Sequence, residues 1–250
     1  MQRDTSNALS FGNAVAAYEL GRPSYPAAAV EWMLAQLGGE PAGRTFVDVG
    51  AGTGKFTAAL LHRGAEVVAV EPDATMRATL SANLPEVRAL EGTGEHLPVG
   101  DGSADLVTFA QAWHWVDEHA ASAEIARALK ATGALALVWN IRDDRVDWVQ
   151  ELTGIMGSSA AEDYDSIEPP LGAHLERSAY AEFFWENPLT RDQVIAMITS
   201  RSYIIAMGSD ERAALLDRVE KLLDEHPHLA HRTVYPMPYV TRMTIARPLR

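Results

Sequence analysis

Hydrophobic residues follow two rhythms along this chain. In the first half, runs that are apolar almost throughout alternate with stretches of helical period. Thr45–Val49, Glu66–Glu71, Val87–Leu90, Ala104–Ala110 and Gly133–Trp139 read as strands, and the near absence of apolar–polar alternation predicts burial on both faces. Between them, Lys55–Arg63, Ala74–Asn83 and His119–Lys130 read as helices. Leu80 and Leu84 share one helix face, as do Ile125 and Leu129. Pro72-Asp73 supplies a turn and an N-cap, and Asp117 is placed to cap a helix from Glu118. Strands buried on both faces and separated by helices predict a doubly wound α/β sheet, with its ligand crevice at the carboxyl ends of the strands.

The second half is less regular. Asp147–Met156 reads as a helix, and 157–174 as a loop carrying Ser158-Ser159, Pro169-Pro170 and Gly172. Tyr180–Trp185 is an aromatic strand. Thr190 caps a helix that includes Val194, Ile195 and Ile198. Asp210–Glu225 is amphipathic, with Leu215, Leu216, Val219, Leu222 and Leu223 on one face, and Tyr239–Ala246 alternates as a final strand. One domain is expected over residues 1–250: an amino-terminal segment to 38, a core from 40 to 140, and a remainder that completes the sheet and shapes a pocket.

Composition narrows the chemistry. The 250 residues are 47% hydrophobic and 22% charged, so a core of ordinary size needs no covalent staples. With no cysteine, disulfides, thiolate metal sites and cysteine nucleophiles are excluded, which suits a reducing cytoplasm. Met1–Asn7 is polar and leads into no apolar run, so neither a signal peptide nor a membrane span is expected. Against 34 acidic residues stand 21 Lys and Arg, a net charge of −13, which disfavours a nucleic-acid backbone as the main partner.

The strongest local signal is Val47-Asp48-Val49-Gly50-Ala51-Gly52-Thr53-Gly54, a strand that runs into a glycine turn and then a helix. Glu71 follows Gly50 by 21 residues and ends the second strand, where a carboxylate accepts both hydroxyl protons of a ribose. The dinucleotide fingerprint G-x-G-x-x-G is missed, because the third glycine comes one residue early. The phosphate loop G-x-x-x-x-G-K-[ST] is missed too, since Phe56 follows Lys55. A ligand with a ribose but no phosphates fits better.

These residues, with Val70-Glu71-Pro72-Asp73, Glu91–Pro98, Ala104–Val107 and Ala110–Asp117, resemble the class I S-adenosylmethionine-dependent methyltransferases, the small-molecule type 11-like bacterial group. Phe11, Tyr18 and Arg22–Pro26 resemble the lid segment of small-molecule members, and Ser200–Tyr203 resembles their carboxyl-terminal part. The resemblance implies a Rossmann-like, mostly parallel seven-stranded sheet with helices on both faces and the last strand antiparallel. It implies S-adenosylmethionine as cofactor, with Gly50, Ala51 and Gly52 against its methionine part and Asp48 on its ammonium. Glu71 would hold the ribose hydroxyls, and Pro72 and Met76 would wall the ribose and adenine, although Met76 serves equally as core. Family members often carry an aspartate for the adenine amine where this chain has Thr93; the Gly94 amide and Glu95 or Thr93 would take its place. Tyr18 would close over the site, Arg22 would grip the cofactor carboxylate or an acidic substrate, and Gln111 would stand where the crevice opens.

His114, between Trp113 and Trp115, is the candidate base, since histidine ordinarily titrates near pH 6.5. A lone histidine is more often structural. No metal site is expected. The implied reaction is in-line transfer of a methyl group to a small-molecule acceptor, with O- or carboxyl-methylation favoured. A carboxylate acceptor needs no base; a phenol or hydroxyl benefits from one. The stretches Asn140–Arg145 and Gly157–Arg201 are expected to wall the substrate pocket; Trp139, Trp148, Tyr164, Phe183, Phe184 and Trp185 are candidates for that wall, several of them being core. The alternatives are a nicotinamide-dependent oxidoreductase and a cofactor-binding partner protein without catalysis. Monomer and homodimer stay open.

Overall fold

The computed structural model describes residues 19–38, 40–157, 164 and 166–249. The elements run α1 (Ala27–Ala35), β1 (Thr45–Val49), α2 (Lys55–Leu61), β2 (Glu66–Val70), α3 (Ala74–Asn83), β3 (Arg88–Leu90), β4 (Ala104–Ala110), α4 (Glu118–Ala128) and β5 (Leu129–Arg142). They continue with α5 (Asp147–Met156), β6 (Leu175–Thr190), α6 (Arg191–Thr199), the short α7 (Ser202–Ile205), α8 (Ser209–Glu225) and β7 (Val234–Pro248). A 3-10 turn at Trp113–Trp115 links β4 to α4.

One sheet of seven strands has the order β3-β2-β1-β4-β5-β7-β6. Strands β1 to β5 pair in parallel, and β7 runs antiparallel to both β5 and β6. The expected Rossmann-like plan is therefore present, antiparallel last strand included. The strand order reverses between β1 and β4, and in such sheets the crevice opens at that switch.

Each central strand feeds both faces. Phe46, Leu106, Ala134, Ala136 and Val138 pack with Met33 and Leu60 of α1 and α2. Their neighbours Val47, Val107, Leu135, Leu137 and Trp139 pack with Trp113 and Ile125 on the opposite side. Burying each large aliphatic side chain contributes about 1.5–3 kcal/mol, so the double-sided strands anchor the fold. A third cluster joins α5, α6 and α8 to the start of β7 through Trp148, Met197, Val219 and Tyr235.

Caps act as read: Asp73 accepts from the Thr75 and Met76 amides, Asp117 from those of His119 and Ala120, and Thr190 forms a capping box with Gln193. Several boundaries differ from expectation: α2 ends at Leu61 rather than Arg63, and β5 runs from Leu129 to Arg142 rather than Gly133 to Trp139. The helix before β5 stops at Ala128, because Leu129 already pairs with Ala104. β6 extends from Leu175 to Thr190 and β7 from Val234 to Pro248, well past their aromatic and alternating centres. They pair along almost their whole length, and β6 alternates between exposed and half-buried positions, so polar residues belong in it.

Candidate functional site

The glycine turn leaves β1 at the switch point. Gly50 adopts φ 65°, and a Cβ there would lie 2.6 Å from the Ala112 Cβ. Only glycine meets both demands. The Gly50 and Ala51 amides donate to the Val70 carbonyl at 2.8 and 3.2 Å, so the turn is fastened to the end of β2.

Glu71 tightens the same turn. Its Oε2 accepts from the Gly52 amide at 2.8 Å and its Oε1 from the Asp73 amide at 2.9 Å. The carboxylate is only 7% exposed, and burial raises its pKa above the ordinary carboxylate value. Each oxygen keeps acceptor capacity beyond its one amide. Asp48, on β1, is fully buried. The Thr57 hydroxyl donates to its Oδ2 at 2.6 Å and the Thr108 hydroxyl to its Oδ1 at 2.7 Å. Burial pushes its pKa up to about 6 against those two hydrogen bonds, with the Glu71 charge adding to the rise.

Beside the turn lies a cleft of about 520 Å³, its solvent-open mouth included. Asp48, Gly50 and Ala51 line it together with Arg22, Lys55, Gln111, Asn140, Arg201 and Tyr239. Gln111 has φ 61°, a left-handed conformation costly for a residue with a side chain. Its amide donates to the Val138 carbonyl at 2.8 Å and its Nε2 to the Asn140 carbonyl at 2.7 Å, which hold it there. The amino-terminal segment crosses this edge. The Glu19 carboxylate accepts from the Thr53 hydroxyl, Lys55 Nζ donates to the Glu19 carbonyl at 2.9 Å, and Arg22 Nη2 donates to the Ser200 carbonyl at 3.4 Å.

A family model described as a methyltransferase domain matches residues 47–137. An uncharacterised methyltransferase of Mycobacterium tuberculosis is 46% identical over 248 residues, covering 98% of each chain. The chain belongs to the class I S-adenosylmethionine-dependent methyltransferases. A methyltransferase-like protein of Schizosaccharomyces pombe is 31% identical over 224 residues, 86% of this chain and 85% of its own. Among solved structures, a type II methyltransferase from Anaeromyxobacter dehalogenans has a TM-score of 0.65 at 19% identity, covering 91% of this chain and 97% of its own. A methyltransferase from an antibiotic biosynthesis pathway of Anabaena variabilis has a TM-score of 0.63 at 20% identity, covering 90% and 98%. These two show the fold. Family membership sets aside the nicotinamide and non-catalytic alternatives.

In this methyltransferase the remaining candidates distribute unevenly. Met76 is buried, and its amide is one of the two that Asp73 caps; Pro72 is half-buried. Thr93 and His96 exchange backbone hydrogen bonds at 3.1 and 3.2 Å, closing a tight turn around buried Gly94. Glu95 is half-buried; its Oε1 accepts from the Asp117 amide at 2.8 Å and ties that turn to the start of α4. His114 is buried outside the cleft lining, its ring 4.6 Å from Trp115 and 6.1 Å from Tyr164. Tyr18 lies outside the described residues.

The candidate aromatics divide between core and surface. None of Trp139, Trp148, Tyr164, Phe183, Phe184 and Trp185 lines the cleft. Trp139 and Trp148 are core, Phe183 meets Trp32 edge-on, Trp185 stacks on Tyr239, and Phe184 faces solvent under Arg145. The cleft takes Tyr25, Phe56 and Tyr239 in their stead. Asn140 and Arg201 fall at the ends of the two stretches expected to wall the pocket, whereas sequence reasoning missed Lys55, Phe56 and Tyr239 as lining residues. Asn140 had a signal, since it lies near the carboxyl end of β5, on the crevice edge.

Proposed function

We propose that this protein transfers a methyl group from S-adenosylmethionine to a small-molecule acceptor in the cytoplasm, with O- or carboxyl-methylation favoured and no metal required. One observation carries the reading: the glycine turn, Glu71 and Asp48 converge at the switch between β1 and β4. The residues suit the cofactor. A turn without side chains at Gly50 and Gly52 admits close main-chain approach, and a carboxylate at the end of β2 suits ribose hydroxyls. Asp48 is a buried acid whose hydrogen-bond partners are hydroxyls, so a cationic ligand would relieve its burial.

In the proposed arrangement Glu71 holds the ribose, Asp48 faces the ammonium, and Gly50–Gly52 pack against the methionine portion. Pro72 and Met76 form the apolar wall, and Thr93, Gly94 and Glu95 receive the adenine. When bound, the sulfonium would supply a methyl group already activated for in-line displacement by an acceptor oxygen, with the electron pair of the broken S–C bond left on sulfur. The protein's part is positioning and exclusion of water. His114 is the proposed base only for a phenol or hydroxyl acceptor; its place outside the cleft lining favours a carboxylate acceptor, which needs none. No described helix is long and apolar enough to cross a membrane. The net charge of −13 favours a small molecule over nucleic acid.

Calorimetry with S-adenosylhomocysteine and with NADH tests the cofactor, and release of S-adenosylhomocysteine across an acceptor panel tests the transfer. Saturable binding of S-adenosylhomocysteine is expected. NADH binding without it overturns the reading.

A further inference from the structure

Two histidines and two carboxylates meet where α5 packs against the end of α8. His226 caps α8, and His228 follows it across Pro227 in the turn that leads toward β7. Asp147 and Glu151 stand on successive turns of α5. Spaced by four, they share one face of that helix. None of the four residues lines the cleft. Sequence alone expects no metal here, because the two pairs lie far apart along the chain and meet only through the fold.

Their donor atoms converge. His228 Nδ1 lies 3.2 Å from Asp147 Oδ1. His226 Nε2 lies 3.9 Å from Asp147 Oδ2 and 3.7 Å from Glu151 Oε1. One ligand atom from each of Asp147, His226 and His228 falls within 4.8 Å of the other two. Around a tetrahedral zinc ion, with bonds of 2.0–2.1 Å, neighbouring donors stand about 3.3 Å apart. The set is therefore slightly expanded, and a small inward turn of the side chains closes it. The carboxylates are placed to make that turn, being 58% and 59% exposed, whereas His226 is a fixed anchor at 7%.

The backbone beneath is braced. The His226 amide donates to the Leu222 carbonyl at 3.0 Å, and its carbonyl accepts from the Leu229 and Ala230 amides, both at 2.8 Å. Trp148 and Leu152 of α5 share one core cluster with Leu222 and Leu229. Donors held by such a framework need little ordering to receive an ion.

The charge balance points the same way. Among the described residues, Asp147 and Glu151 form ion pairs with these histidines and with no lysine or arginine. An imidazole offsets them only while protonated. Two imidazoles and two carboxylates otherwise make a nitrogen–oxygen donor set for a divalent cation. The His228 amide donates to His226 Nδ1 at 3.3 Å; coordination through Nε2 places the ring proton on Nδ1 and gives up this long contact.

We propose that this cluster is a zinc-class metal site, in which His226 through Nε2, His228 through Nδ1, Asp147 and Glu151 clip α5 to the turn between α8 and β7. Imidazole nitrogen selects zinc-like ions over magnesium and calcium, which prefer all-oxygen sites. The clip shares no residue with the cleft, so it is structural and the proposed transfer stays free of metal.

The test uses the full chain without an affinity tag, stripped by a chelator and titrated calorimetrically with zinc and, separately, with magnesium. One zinc equivalent is expected to bind with a micromolar or tighter dissociation constant, and magnesium ~100-fold or more weakly. At a zinc concentration of about 100 times that constant, the melting temperature is expected to rise by about 5–10 °C. His228→Ala and Glu151→Gln change exposed side chains, so both variants are expected to fold, to melt within about 2 °C of the stripped wild-type protein and to bind zinc at least ~10-fold more weakly. No zinc binding, magnesium binding as tight as zinc, or an unchanged zinc affinity in either variant overturns the inference. Each of these results leaves the methyl-transfer reading standing.

Discussion

Asp48→Asn should stabilise the unliganded protein and weaken cofactor binding. Asp48 is fully buried, and its pKa stands at about 6 against an ordinary 3.8. That difference corresponds to about 3 kcal/mol, the cost of keeping the ionised side chain folded at neutral pH. The sign follows from proton uptake. Between about pH 4 and pH 6 the folded chain binds more protons at this site than the unfolded chain, so stability falls as pH rises through that window and levels off above it. Asparagine keeps the shape and removes the charge. One of Thr57 and Thr108 must then turn its hydroxyl to accept from the new amide, which reduces the gain to about 1–3 kcal/mol at pH 7. Urea unfolding of both proteins from pH 4 to pH 8 measures this. Glu71 is raised in the same direction, so both proteins keep some slope, and the difference between them isolates Asp48. In calorimetry, S-adenosylhomocysteine affinity should rise with pH through about 6 in the wild-type protein and lose that rise in the variant. A variant less stable at pH 7, with an unchanged pH slope, refutes the reasoning.

Glu71→Ala removes a ribose acceptor and strands the Gly52 and Asp73 amides; S-adenosylhomocysteine affinity should fall by at least ~1 kcal/mol and unfolding free energy by about 1–3 kcal/mol, read by calorimetry and urea melts. Gly21→Ala puts a Cβ 2.2 Å from the Met197 amide nitrogen, so the segment carrying Arg22 must retreat from α6 by about 1 Å. Because the clash is with backbone, the melting temperature should fall, and cofactor or acceptor affinity should drop ~10-fold; unaltered affinities would show that this contact does not position Arg22. Gln111→Gly relieves a left-handed conformation but cuts the link to Asn140; stability should stay within ~1 kcal/mol while kcat/KM for any identified acceptor falls, whereas a full loss of stability would place Gln111 in the fold alone.

The parts of the molecule that sequence revealed are those decided within a few residues. Asp73, Asp117 and Thr190 cap helices whose free amides lie two or three positions away, so the cap and its target are read together. Strands β1, β2 and β4 are legible because burial on both faces leaves them little room for polar residues. β6 resists the same reading because one long antiparallel neighbour suffices to hold it, whatever its polarity. The candidate site divides along this line. Asp48, the glycine turn and Glu71 fall within one strand–helix–strand unit, so their spacing carries the donor chemistry. Arg22, Asn140, Arg201 and Tyr239 come from four distant stretches and meet only because β7 inserts between β5 and β6 and brings α6 to the crevice edge. Resemblance to known segments marks Arg22 and the Ser200–Tyr203 stretch, but no periodicity encodes that they meet Asn140 and Tyr239. Residue spacing therefore announces the glycine-turn half of the cleft, while its far half is legible only once the sheet order has brought β5, β7 and α6 to one edge.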